Sequence, residues 1–270
     1  MNRITARLAD AKQQGRKALV TYIVNGDPFP DATLMTMHAM VDAGVDIIEL
    51  GVPFSDPMAE GPVIALGHER ALANKTSLKS TMAVVKAFRE TNNETPVVLM
   101  GYANPVERMG YEPFAVQASE AGVDGLLTVD LPPEEAADLN TELKKVNIEN
   151  IFLLAPTTNR ERAQSIVDLA SGFLYYVSLK GVTGAGHLDL ASVEEKLTEL
   201  RQLTELPICV GFGIKDAATA KAIGQYADGV VVGSLLVERM GSMADQSPED
   251  IAAAVVELIA PIRAGLDELA

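Results

Sequence analysis

The chain has 270 residues, with 22 Lys plus Arg against 37 Asp plus Glu and a formal net charge of −15. At 48% hydrophobic and 22% charged residues it has the composition of a globular chain with a sizeable core, not of a disordered one. The acidity excludes nucleic acid and anionic membrane surfaces, which need clustered Lys and Arg, but it leaves room for one small phosphate.

The first segment, MNRITARLADAKQQGRKALV, reads as an amphipathic helix with charges throughout, and not as a signal peptide. No stretch approaches the roughly 20 apolar residues of a membrane span. The single cysteine, Cys209, lies in PICVGFG, so neither an intrachain disulfide nor a multi-thiolate metal site can form, and a packed thiol is expected. A cytoplasmic protein is the expectation.

Short apolar runs follow at intervals: ALVTYIV (18–24), IIELG (47–51), PVVLMGY (96–102), GLLTVD (125–130), NIFLLAP (150–156), FLYYVS (173–178), PICVGFG (207–213) and GVVVGS (229–234). Most are apolar on both faces, the pattern of parallel strands covered by helices. Between them lie helical patterns such as DATLMTMHAMVDAG, EPFAVQASEAG, EEAADLNTELKKV, VEEKLTELRQL and AATAKAIGQYA, and a last helix runs from about Pro248. Several close on a glycine, a common helix C-terminal signal. No linker or composition break divides the chain. Eight βα units therefore predict an α/β fold over 1–270, a single (β/α)8 TIM barrel with an additional N-terminal helix. An open doubly wound sheet is the weaker alternative, because the first strand ends in VNGDP where a glycine fingerprint would stand.

In such a barrel the chemistry sits at the carboxyl ends of the strands. Glu49 lies within IIELG, where alternation places Ile47, Glu49 and Gly51 on one face, the barrel interior. A lone carboxylate among apolar residues should have a raised pKa, which makes it a proton donor and acceptor near neutral pH. The bland reading is an ion pair inside the barrel. The ensuing GVPFSDPMAEGP is long for a βα loop and carries Asp56 and Glu60, so a second carboxylate could orient substrate or share proton transfer. After the sixth strand, LKGVTGAGHLDL reads as a second long loop able to act as a lid. Glycines after the seventh and eighth strands, Gly211, Gly213 and Gly233, with Ser234 and with Gly184 from the lid, predict a phosphate cradle made of backbone N–H groups without Lys or Arg. The three histidines, His38, His68 and His187, do not cluster and show no metal spacing; surface or supporting positions are expected for all three.

The segment IELGVPFSDPMAEGP, followed in order by VLMGYANP, VDLPPEE, YYVSLKGVTGAG, VGFGI and VVGS, resembles the tryptophan synthase α subunit family over essentially the whole chain. The resemblance implies a (β/α)8 barrel that reversibly cleaves indole-3-glycerol phosphate to indole and glyceraldehyde 3-phosphate. It implies no cofactor in this chain, and a partner, the pyridoxal-phosphate β subunit of an α2β2 heterotetramer, that receives the indole. It makes Glu49 the proton-transfer residue and Glu60 the second acid. Tyr175, Leu127, Phe212 and Thr183 match positions that line the pocket or support lid closure. Gly184, Gly213, Gly233 and Ser234 match the phosphate cradle, and Asp56, Pro57, Asn104 and Pro132 match loops facing the β subunit. The sequence departs from the family pattern in having Glu60 where Asp is frequent, and Tyr22 and Met100 where Phe and Leu are expected on an apolar wall.

Two other readings compete. A Schiff-base aldolase would need a lysine at a strand end, and Lys180 in the lid is the nearest candidate. A regulatory phosphate-binding subunit would use the glycines but has no need of two carboxylates.

Overall fold

In the computed structural model of the chain, residues 1–178, 190–211 and 213–270 are described. Eight parallel strands close into a barrel in sequence order: β1 (Ala18–Val24), β2 (Ile47–Gly51), β3 (Val97–Gly101), β4 (Gly125–Thr128), β5 (Glu149–Leu154), β6 (Leu174–Val177), β7 (Ile208–Gly211) and β8 (Gly229–Val232). β1 pairs with both β2 and β8, which completes the ring. Every predicted strand is present. Six were expected to run one or two residues further at the carboxyl end, because glycines and apolar residues continue past the last ladder hydrogen bond into the βα loops.

The helices are α1 (Arg3–Gln13), α2 (Pro30–Asp42), α3 (Pro62–Ala73), α4 (Leu78–Arg89), α5 (Ala103–Met109), α6 (Tyr111–Ala121), α7 (Ala137–Lys145), α8 (Arg160–Leu169), α9 (Leu190–Leu200), α10 (Ala217–Gly224), α11 (Ser234–Gly241) and α12 (Pro248–Asp267). Among the described residues, no helix is long and apolar enough to cross a membrane.

Strand alternation divides the core in two. Ala18, Val20, Tyr22 and Val24 of β1 point into the barrel with Ile47, Val98, Met100, Leu127, Ile151, Tyr175, Cys209 and Val231. Leu19, Ile23, Ile48, Leu50, Val97 and Leu99 point outward into the larger cluster beneath the helices. Helix α1 closes the amino-terminal mouth: Ile4 and Leu8 enter the interior cluster. A Cβ on Gly125 would come within 2.8 Å of Ile4 Cδ1, so only glycine at that register position lets the plug seat. Asn2 fixes the entry by accepting from the Ile4 amide at 2.8 Å and donating to the carbonyls of Asp124 and Asn147, both at 2.8 Å.

Three aspartates clasp the same end. Each immediately precedes a strand, and each accepts from the first or second amide of the preceding strand. Asp46 takes Leu19 N at 2.9 Å, Asp124 takes Val97 N at 2.8 Å, and Asp228 takes Ile208 N at 2.9 Å. Cations complete them: Arg16 and Arg263 at 3.2 Å from Asp46, Arg3 and Arg89 at 2.8 and 2.7 Å from Asp124, and Arg201 at 3.1 Å from Asp228. Asp124 is buried, and Arg89 lies mostly under cover, so this pair is worth far more intact than broken. Asp124→Ala strands Arg89 and a strand amide together. It should lower the unfolding free energy in urea by about 3–5 kcal/mol; a loss in the surface-pair range, under about 1 kcal/mol, would mean that the clasp does not hold the barrel base.

Candidate active site

Glu49 sits at the middle of β2, in register with Tyr22 of β1 and Val98 of β3. Its side chain is 0% exposed, and neither carboxylate oxygen has a hydrogen-bond partner. Burial therefore raises its pKa to about 8, with the charge of Glu60 adding to the effect. No ion pair to Glu49 exists among the described residues, so the structural-pair reading of this carboxylate fails. Glu60 ends the loop after β2 and faces the same space; its own burial lifts it to about 7. Two neighbouring carboxyl groups thus titrate near neutrality, Glu60 lining the cavity and Glu49 fully buried within the barrel beside it.

The loop over 52–61 is held rather than free. The Phe54 amide donates to His68 Nδ1 at 3.0 Å, the Ala59 amide donates to Tyr102 Oη at 3.1 Å, and the Phe54 and Tyr102 rings stack at 5.0 Å. Val52 N bonds Met100 O at 2.8 Å, which carries the β2–β3 pairing one step beyond the strand. Gly61 and Pro62 then start α3, with proline at the first turn where its missing N–H costs nothing.

The cavity measures ≈ 230 Å³ and opens at the carboxyl ends of the strands. Tyr22, Met100, Ile64, Tyr175 and Val231 supply its apolar wall, and Glu60 and the exposed Glu238 its acids. Opposite lie Gly213, Ile214, Lys215, Gly233, Ser234 and Leu235. Gly213 has φ +81°, a conformation favouring glycine, and Gly233 precedes α11, whose first-turn N–H groups have no intrahelical partner. Those amides and the positive helix end attract an anion.

Several expected residues fall elsewhere or need correction. Gly211 is not among the residues lining the cavity; a Cβ there would come within 2.2 Å of Tyr175 Oη, so this glycine makes room for the tyrosine, and its carbonyl accepts from Ser178. A cradle without a cation was expected, yet Lys215 lines it from the exposed rim. Asn104 lies not on a loop but in the first turn of α5, a helix started by Asp130 Oδ1 accepting the Ala103 amide at 2.7 Å. Tyr22 is not a plain apolar wall, since its hydroxyl meets His68 Nε2 at 3.2 Å. His68 itself is buried behind that wall, the supporting position of the two considered.

Leu127 is fully buried in the interior packing, registered beside Met100. Asp56 and Pro57 lie on the loop over 52–61, and Pro132 precedes a 3-10 turn at Pro133–Glu135; Asp56, Asn104 and the neighbouring Met58 are exposed at the rim. Thr183, Gly184, Phe212, Lys180 and His187 lie outside the described residues. Among those described, no group of three His, Cys, Asp or Glu could hold a metal ion. Ile64, Ile214, Lys215 and Leu235 were not singled out from the sequence; Ile214 and Lys215 follow the end of β7, whereas Ile64 and Leu235 lie in the first turns of α3 and α11 and carried no such signal.

The family model described as "Tryptophan synthase alpha chain" matches residues 8–264. The tryptophan synthase alpha chain of Thioalkalivibrio sulfidiphilus is 57% identical over 267 residues, covering 99% of this chain and 100% of that one. That of Marinobacter nauticus is 54% identical over 270 residues, covering 100% of both. Among solved structures, tryptophan synthase subunit alpha from Legionella pneumophila superposes with a TM-score of 0.91 at 42% identity, covering 99% of each chain.

The buried glutamate makes stability depend on pH. Because the pKa of Glu49 rises from 4.5 to about 8 on folding, its protonation stabilises the fold fully below 4.5, and that contribution is lost as pH climbs through 8. Glu49→Gln keeps a neutral group at every pH. Its melting temperature should therefore gain on the wild type steadily between about pH 5 and 9. A difference that stays flat over that range would show that Glu49 is not buried as the neutral acid.

Proposed function

The chain belongs to the tryptophan synthase alpha chain family, and we propose that Glu49 and Glu60 carry the family's carbon–carbon cleavage in it. The reaction converts indole-3-glycerol phosphate to indole and glyceraldehyde 3-phosphate, and it reverses. The single observation that carries this reading is a fully buried, unpartnered carboxyl at about pKa 8 that feels the charge of a second one, at about 7, lining the cavity.

With Glu60 ionised, its charge favours the protonated form of Glu49, so near neutrality the favoured arrangement is one neutral acid beside one carboxylate. Neutral Glu49 gives its proton to indole C3. The ring then carries positive charge, which a carboxylate at Glu60 facing the ring N–H stabilises. Glu49, now a carboxylate, takes the proton of the side-chain hydroxyl beside the breaking bond. The C3–carbon bond breaks, its electron pair returns to the ring, and the hydroxyl carbon becomes the aldehyde. Glu49 ends protonated, as it began. The apolar wall of Tyr22, Met100, Ile64 and Tyr175 suits a flat indole, and water exclusion there strengthens each charge interaction.

The phosphate is assigned to the amides at Gly213, Gly233 and Ser234, with Lys215 adding a cation at the rim. Thr183, Gly184 and Phe212 complete the site from the segments after β6 and β7, as the family resemblance implies. Glu60 reaches one methylene further than the frequent Asp, and its place at the cavity mouth supports a carboxylate reaching inward from the loop. The exposed rim around Asp56, Pro57, Asn104 and Pro132 is assigned to the β subunit of an α2β2 assembly. That partner holds the pyridoxal phosphate and receives indole; the alpha chain works without a cofactor of its own. We place the reaction in the cytoplasm and the whole of 1–270 in one barrel domain.

Release of glyceraldehyde 3-phosphate from indole-3-glycerol phosphate, followed with and without β subunit, tests the assignment: slow cleavage alone should rise sharply with the partner. Glu49→Gln should lose at least about 10²-fold in turnover while its affinity for a nonreactive indole-alkyl phosphate stays within about 3-fold. Unchanged turnover in that variant removes Glu49 from the chemistry. Gly213→Leu should raise KM by about tenfold or more, beyond what its backbone strain of about 1–2 kcal/mol takes from stability; a normal KM would move the phosphate elsewhere.

A further inference from the structure

The cavity wall contains a hydrogen-bond chain that the cleavage scheme does not use. Tyr22 leans from β1 across β2, where a Cβ on Gly51 would come within 2.5 Å of its Oη. That Oη lies 3.2 Å from Nε2 of His68 on α3. The Phe54 amide donates to Nδ1 of the same ring at 3.0 Å. An amide N–H can only donate, so Nδ1 is the accepting nitrogen and the neutral ring carries its proton on Nε2. Burial keeps the ring neutral by holding its pKa down at about 4. Nε2–H therefore donates to Tyr22 Oη, and the tyrosine keeps its own proton for a different acceptor.

The charged and titratable groups around Tyr22 are Glu49 on β2, Glu60 on the loop, Tyr102 after β3 and Asp27 after β1. Asp27 is already occupied by Arg70, at 2.6 and 3.0 Å, and the Tyr102 oxygen accepts the Ala59 amide. The oxygens of Glu49 have no hydrogen-bond partner, and Glu60, the first of these charges, lines the cavity beside Tyr22.

We propose that Tyr22 and His68 are a positioning pair: His68 occupies the Tyr22 oxygen and turns its one proton toward the cavity that Tyr22 lines with Glu60, where it favours the ionised carboxylate of Glu60. The family resemblance calls for Phe at position 22, which has no hydroxyl to be turned. The inference rests on the carboxylate reading of the site given above.

A donor aimed at a carboxylate lowers that group's pKa, so its removal moves proton uptake to higher pH. In the complex with β subunit, Tyr22→Phe should shift the acid limb of kcat/KM for indole-3-glycerol phosphate upward by about 0.5–1 pH unit, a loss of about 3–10-fold on that limb beyond any change in the plateau. His68→Ala should shift it the same way, and it should add nothing in the Tyr22→Phe background. Carbon-13 titration of the glutamate carboxyls in the substrate-free chain gives a second readout, with the Glu60 signal identified by its loss in Glu60→Gln. It should move upward in both single variants. An unmoved limb and an unmoved titration, or fully additive effects of the two variants, overturn the pair. A wild-type chain that cleaves nothing overturns the cleavage reading alone, and the titration then decides the pair.

Discussion

Everything at the carboxyl end of this barrel depends on a carboxylate buried without a partner. A charged glutamate placed among Ile47, Val98 and the ring of Tyr175 would cost several kcal/mol, and the molecule avoids this by keeping the proton on. A group held in that state exchanges its proton near neutral pH, which an exposed glutamate does not do. The same apolar interior that gives the fold its core is therefore what makes Glu49 an acid of the right strength. Any polar side chain brought within reach of its oxygens would return it toward an ordinary carboxylate.

That burial is destabilising, so the barrel must be secured elsewhere. The aspartate clasps at Asp46, Asp124 and Asp228 lie at the amino-terminal end, where α1 also plugs the interior with Ile4. Each clasp satisfies a strand amide that has no ladder partner and ties it to an arginine on a neighbouring element. Stability is thus concentrated at one end of the strands and chemistry at the other, about one strand length apart. Loops at the site end can carry Gly213, Gly233 and the long segment over 52–61 without loosening the ring.

The sequence displayed the ring more readily than its fastenings. Continuous runs such as ALVTYIV show burial on both faces, and burial is a local property that periodicity reports well. Glu49 stood out for the same reason, as one charge inside such a run. The clasps did not: Asp124 and Val97 lie 27 residues apart, and nothing local distinguishes an aspartate that caps a strand amide from one in a turn. The link between Tyr22 and His68 spans 46 residues and was invisible for the same reason. The close approach of Tyr175 to Gly211 was equally hidden, because a glycine at a strand end fits either a phosphate or a bulky neighbour. Helix α5 was missed because seven residues carry too little periodicity, and Asp130, which starts it, comes later in the chain.

The acid and base roles proposed for the two glutamates require that their surroundings differ. Equal burial would give them similar pKa values and let them share one proton, leaving neither reliably acid nor base. Here Glu49 has no exposure and lies below the cavity floor, whereas Glu60 sits at the mouth on a loop pinned by His68 and Tyr102. The deeper group holds its proton harder, and the charge of the shallower one reinforces that order. Depth in the barrel therefore sets the division of labour, and the anchoring of the loop preserves it. A longer side chain at position 60 is tolerable under this rule so long as its carboxyl stays the shallower of the two. Bringing it down to the level of Glu49 would erase the difference on which the acid and base roles depend.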